Sequence, residues 1–252
     1  MARRSAKRCS DDVPRDDTQS ELSQNTGTLY VVSTPIGNLD DISLRAIRVL
    51  RSVKIVAAED ARAFSTLMAH YGIETEVCSL KSHAYGTGTL ERVRSTLLAG
   101  NDAAVVCDAG TPLIADPGGR LVNAAIEIQC RVAAVPGSVA AIAALTISGL
   151  SAQRFTFDGF PPRGSSDRFR FFSSLATETR TIVLYETRSH LSNTLMCLRN
   201  SLGGDRQIAV VRDLTRRTEA TYRGLLRDIA EQLGSSPPRG EYVLVIEGHC
   251  PI

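Results

Sequence analysis

A chain of 252 residues, 43% hydrophobic and 22% charged, has the balance of a soluble globular protein and the length for two modest domains. Its longest apolar run in the body, Val139 to Leu145, falls far short of the roughly 20 residues a membrane-crossing helix needs, and the charged amino end lacks the apolar stretch of a secretion signal. A net charge of +2 is too small to mark a nucleic-acid binder, and six widely spaced cysteines without a CxxC pair argue against a disulfide scaffold or a zinc site, which suits a cytoplasmic protein.

The tail, residues 1–27, carries five basic and five acidic groups and almost no large apolar side chain. Burial cannot offset the entropy of ordering it, so it is expected to be disordered. From Thr28 onward, short β-rich runs read as buried strands: Leu29 to Ser33, Lys54 to Ala58, Ala103 to Cys107 and Arg131 to Val135. Amphipathic helices separate them. Ile42, Leu44, Ile47 and Leu50 share one predicted face, Leu90, Val93, Leu97 and Leu98 another, and His70 sits at a helix end before Gly72. Such alternation predicts a mostly parallel sheet. Pro136 and Gly137 interrupt the series before a small apolar helix over 139–147, which places a domain boundary after residue 136.

In the second half, Arg154 to Phe157, Thr181 to Tyr185, Gln207 to Val211, Glu219 to Arg223 and Tyr242 to Ile246 read as strands, with helices near 166–176, 188–201 and 224–233. The strands on either side of Arg216 are joined without a helix, so at least one antiparallel pair is expected. The fold class is therefore α/β in two domains, 28–136 with a mostly parallel sheet and 137–252 with a mixed one, helices lying on both faces.

Four predicted strands of the first half end in loops rich in Gly, Pro and Asp: Ser33 to Asn38, Glu59 to Arg62, Cys107 to Gly118 and Pro136 to Ala140. In open α/β sheets ligands bind outside the carboxyl ends of the strands, so the four are expected to meet in one cleft. Neither GxGxxG nor GxxxxGK[ST] occurs, which disfavours dinucleotides and nucleoside triphosphates. Small residues such as Ala109, Gly110, Gly137 and Ala140 suit a ligand with an adenine, a ribose and a zwitterionic tail but no phosphate, and S-adenosylmethionine is such a ligand.

In chain order, TPIGN (34–38), EDAR (59–62), DAGTP with IADPG (108–118), PGSVA (136–140), GFPPR (159–163), YE (185–186), RDLT (212–215) and RGE (239–241) resemble the ribosomal RNA small subunit methyltransferase I family of the tetrapyrrole-methylase superfamily. The likeness spans residues 28–248. It implies a tetrapyrrole-methylase-like fold with S-adenosylmethionine in the cleft between domains, a homodimer, and 2′-O-methylation of a cytidine in 16S ribosomal RNA or the assembling small subunit. Carried onto this chain, it implies cofactor contacts from Pro35, Gly37, Asp108, Ala109, Gly110, Thr111, Ser138, Val139 and Ala140. Asp116 is open between touching the ligand and capping the next helix.

Methyl transfer from a sulfonium to a hydroxyl is an in-line displacement that needs no metal, only the reacting atoms held near 3 to 3.5 Å, with a base to take the proton. His83 and Glu59 are the candidate bases, although Glu59 and Asp60 also suit pairing with Arg62 to shape their loop. Phosphate contacts are expected from Arg163, Arg168, Arg170, Arg188, Arg216 and Arg217. The chain departs from the family pattern at Lys81 to Tyr85, where one His of a His-Glu-His-Asn-Glu run persists as His83, and at Ser138 to Ala140, Gly164 and Thr187 to His190. Those positions would face RNA, so two other readings stand beside the first: a non-catalytic paralogue that binds the ribosome, and a methyltransferase of the same fold acting on a tetrapyrrole or other small molecule.

Overall fold

The computed structural model describes residues 26–80 and 87–250. The expected disordered tail falls almost wholly outside these residues, as do His83 and the altered run at Lys81 to Tyr85. The first half alternates β1 (Thr28–Val32), α1 (Leu44–Ser52), β2 (Ile55–Ala58), α2 (Ala61–Tyr71), β3 (Glu76–Ser79), α3 (Thr87–Leu98), β4 (Ala103–Val106), α4 (Gly119–Glu127) and β5 (Arg131–Val135). Its sheet has the order β3-β2-β4-β1-β5, and every pairing is parallel.

Buried on both faces, the central strands read as continuous apolar runs whose side chains alternate between two cores. In β2, Val56 and Ala58 join Ala46 and Leu50 of α1 and Phe64, Leu67 and Met68 of α2, while Ile55 and Ala57 join Val93 and Leu97 of α3 and Leu121 and Ala125 of α4. Two predicted helix faces need correction. Leu44 and Leu98 are solvent-exposed, because at 100° per residue the buried stripes run through Ala46 and Leu50 and through Val93 and Leu97. The strand β3 escaped prediction because it is an edge strand with only Cys78 buried, so Glu-Val-Cys-Ser shows no apolar run. Ser43 caps α1 by accepting from Ala46 N, Asp60 caps α2 by accepting from Arg62 N and Ala63 N, and α2 ends at Gly72 with φ +57°.

The second half comprises α5 (Ala140–Ser148), β6 (Phe155–Phe157), α6 (Ser165–Ser174), β7 (Thr181–Thr187), α7 (Arg188–Leu202), β8 (Gln207–Arg212), β9 (Ala220–Leu225), α8 (Leu226–Gly234) and β10 (Glu241–Ile246). The order β6-β7-β10-β8-β9 has one parallel pair, β6 with β7, and three antiparallel ones. The α/β expectation, one parallel sheet and one mixed sheet with helices on both faces, therefore holds. One face of this second sheet carries α6, α7 and α8 over Ile182, Leu184, Ile208, Val210 and Leu244. Its other face carries α5, through Ala141, Ala144 and Leu145, and reaches Ile36 from the loop after β1. That last cluster packs a loop of the first sheet onto the second sheet, and it fixes where the cleft lies.

Candidate active site

Three strand-end loops of the first sheet are hydrogen-bonded into one wall. Thr34 and Gly110 exchange backbone bonds, Thr34 N donating to Gly110 O at 2.8 Å and Gly110 N to Thr34 O at 3.1 Å. Thr111 Oγ1 donates to the carbonyl of Ser138 at 3.1 Å and lies 2.8 Å from Ser33 Oγ. A hydroxyl has one proton, so with Thr111 donating to Ser138 the Ser33 hydroxyl is the donor to Thr111, a directed chain across all three loops. Where the first and third loops touch, a Cβ on Gly137 would lie 2.8 Å from Ser33 Cβ, too close for any larger residue without displacement.

The facing wall comes from the second half: Phe160, the end of β7 (Tyr185 to Thr187), Leu214 after β8, and the start of β10 (Glu241 to Val243). Between the walls lies a cavity of about 260 Å³. Its lining is mainly apolar, with Thr111, Asp116 and Glu186 among the few polar side chains, the composition of a site that grips an organic ligand and orients it at a few points. Burial, and then the neighbouring Asp116 carboxylate, push the Cys107 thiol far above its ordinary range, so it is not a thiolate at neutral pH. Glu186 is 5% exposed, and its carboxylate accepts from Thr187 N and from the hydroxyl of Thr194.

The sequence profile of the Tetrapyrrole (Corrin/Porphyrin) Methylases matches residues 28–230. A protein named ribosomal RNA small subunit methyltransferase I from Xylella fastidiosa is 43% identical over 225 residues, covering 88% of this chain and 82% of that one. One of the same name from Synechocystis is 42% identical, covering 89% and 80%. The chain belongs to the ribosomal RNA small subunit methyltransferase I family. It is a methyltransferase. A crystal structure of uroporphyrin-III-C-methyltransferase from Thermus thermophilus superposes with a TM-score of 0.59 at 21% identity, covering 88% of this chain and 92% of that one, a likeness of fold.

Of the cofactor contacts that membership in the small subunit methyltransferase I family suggested, Ala109, Gly110, Thr111, Val139 and Ala140 line the cleft. The other four stand in the same loops, outside the lining of the cavity. Pro35 is buried, and the Asp108 carboxylate accepts from Asp60 N at 2.9 Å. The Ser138 carbonyl takes the Thr111 bond, and Gly37 lies so close to the second half that a Cβ would come within 2.5 Å of Leu214 O. The Glu59 to Arg62 loop does not line the cleft; Glu59 braces the second loop by accepting from Asp108 N, while Asp60 caps α2. Asp116 lines the cleft, whereas the capping position of α4 belongs to Gly118.

Among the arginines, Arg168 must leave the phosphate-binding set: it is 7% exposed and bonded internally to Pro162 O and Thr194 Oγ1. Arg163, Arg170, Arg188, Arg216 and Arg217 are exposed. Arg170 pairs with Asp167, Arg216 pairs with Glu241, and Arg188 Nε donates to Pro237 O.

What the loop reading missed is the second-half wall, including Phe160, Tyr185, Glu186 and Leu214. All four fall in or beside the GFPPR, YE and RDLT runs, which were the available signal. Tyr185 also serves the fold: its hydroxyl accepts the N–H of Ala141 at 3.1 Å, in the first turn of α5, whose own capping residue Val139 has no side-chain acceptor. Tyr185→Phe is expected to cost about 1 kcal/mol in chemical denaturation. A loss below a few tenths would show that this bond does not hold α5 in place.

Proposed function

We propose that this methyltransferase transfers the methyl group of S-adenosylmethionine to the ribose 2′-oxygen of a cytidine in small-subunit ribosomal RNA. The observation that carries the reading is the wall of three mutually bonded loops, free of phosphate-binding motifs, facing the second sheet across a mostly apolar cavity. Its walls fit the cofactor: at Gly110, a Cβ would come 3.3 Å from Ile36 Cγ2, so the absent side chain leaves room in a tight cradle. Gly110, Ala109, Ala140 and Val139 would enclose the nucleoside, with Thr111, Asp116 and Glu186 as the polar points that orient it. When bound there, S-adenosylmethionine supplies an electrophilic methyl on a sulfonium.

The protein's part is to hold the acceptor oxygen in line and keep bulk water out, which the apolar walls at Ile36, Leu214 and Val243 do. His83 is kept as the candidate base. Arg163, Arg188, Arg216 and Arg217 each lie within three residues of a cleft-lining position, where forked phosphate contacts would orient a single-stranded segment. The reading takes 28–136 and 137–252 as the two domains and the protein as a cytoplasmic homodimer. Among the described residues no helix is long and apolar enough to cross a membrane.

The test supplies purified protein with methyl-labelled S-adenosylmethionine and either small subunits, free small-subunit RNA or a tetrapyrrole. Label at a ribose, resistant to alkaline cleavage, is the expected result. Label in the tetrapyrrole alone, or cofactor binding with no transfer to any acceptor, would replace this reading with one of its two rivals.

A further inference from the structure

Phe160 is the half-exposed aromatic ring of the cleft, 52% exposed on the loop between β6 and α6. That loop is pinned at two points: Tyr185 N donates to Gly159 O at 2.8 Å, and Arg168 Nη1 donates to Pro162 O at 3.0 Å. Gly159 holds φ +63°, a conformation open to glycine at little cost. The ring also meets Tyr185 in a T-shaped contact, centroids 5.6 Å apart. Such a contact engages an edge or one face, so at least one face of Phe160 is left for a flat partner.

Ile114, 39% exposed, lines the same cleft from the loop after β4. Its neighbours Leu113 and Ala115 have φ +73° and +64°, costly for residues other than glycine. A strained turn that presents an aliphatic side chain to a cleft, with a pinned and exposed ring in the same lining, has the parts of a clamp for a planar group. In the reading above the cofactor's cradle is at Gly110, Val139 and Ala140, all less exposed than Phe160 and Ile114. A ribose hydroxyl can reach it only if the nucleotide leaves its stack, and the unstacked base then needs a replacement surface.

We propose that Phe160, with Ile114, is the stacking platform for the nucleobase of the nucleotide that presents its 2′-hydroxyl. The proposal rests on the RNA reading above and deepens it. The pinned loop makes the platform preformed, so the base does not have to order it, and an aromatic face accepts any base, leaving the choice of nucleotide to other contacts.

The test compares Phe160→Ala and Phe160→Trp with the parent protein by methyl transfer to small-subunit RNA and, separately, by calorimetric titration with S-adenosylmethionine. The alanine variant should raise KM for RNA at least tenfold while its cofactor Kd stays within threefold, and tryptophan should restore KM. Because the ring is half exposed, neither change disturbs a core. Equal weakening of RNA and cofactor would make Phe160 a cofactor wall, and no change in either would leave it without this role; both overturn the proposal. A parent protein that binds the cofactor but methylates no RNA fails the underlying reading, and the platform with it.

Discussion

Replacing Arg168 with methionine should destabilise the protein by about 3 kcal/mol, lowering its melting temperature by roughly 6 to 12 °C. Arg168 is 7% exposed within α6. Its Nη2 donates to Thr194 Oγ1 at 2.5 Å, and that hydroxyl in turn donates a hydrogen bond to the buried Glu186 carboxylate, so the positive and negative groups are joined through one side chain. Nη1 holds Pro162 O, and the guanidinium carbon lies 5.0 Å from the Phe172 ring centroid. Methionine fills the volume and keeps the apolar contact, but it leaves Thr194 without a donor and Glu186 without its counter-charge. Removing one member of a buried pair strands the other, and that penalty, larger than the net worth of the pair, sets the magnitude. Thermal and denaturant unfolding check it. Adding Glu186→Gln to the methionine variant should recover part of the loss, since the stranded charge is gone. If the double variant is as unstable as the two single losses summed, the groups do not act as a unit.

This network shows where sequence reasoning loses its grip. The central strands of the first sheet were legible because both faces are buried, so their apolar runs are continuous, whereas the edge strand β3 was not, and the strand-end loops announced themselves through glycine, proline and aspartate. Five of the nine carried-over cofactor positions line the cleft. The rest could not be sorted from linear order: Gly37 and Asp108 are in the right loops, but whether they face the cavity or the neighbouring loop depends on how Leu214 and Asp60 approach them. Arg168 fails for a different reason. In sequence it follows the polar run Gly164 to Asp167 and stands two residues before Arg170, and only the packing of α6 against α7 reveals that it points inward to Thr194. The same packing pins the Pro162 carbonyl, so a residue read as an RNA contact acts on the cleft from behind, through the loop that carries Phe160.

At Gly110 the expected result is loss of cofactor, with the fold kept. Gly110→Val should weaken S-adenosylmethionine at least a hundredfold, about 2.8 kcal/mol on the affinity scale. The residue lies at φ +87°, and a Cβ there would come 3.3 Å from Ile36 Cγ2 and 3.7 Å from Ser138 O, so a branched side chain grows into the cavity it now lines. The bridge to Thr34 uses only backbone atoms, so the wall itself should persist. Backbone strain would also lower stability by about 1 to 2 kcal/mol, and that effect has to be separated from blockage. Gly72 provides the separation: it caps α2 at φ +57°, away from the cleft, and a Cβ there would meet nothing within 4 Å. Gly72→Ala should therefore show the strain cost with cofactor affinity unchanged, while Gly110→Val shows both. Calorimetric titration of the two variants, beside their unfolding curves, decides the matter. If Gly110→Val binds S-adenosylmethionine as the parent does, the cofactor does not lie against the second loop, and the assignment of this cleft falls with it.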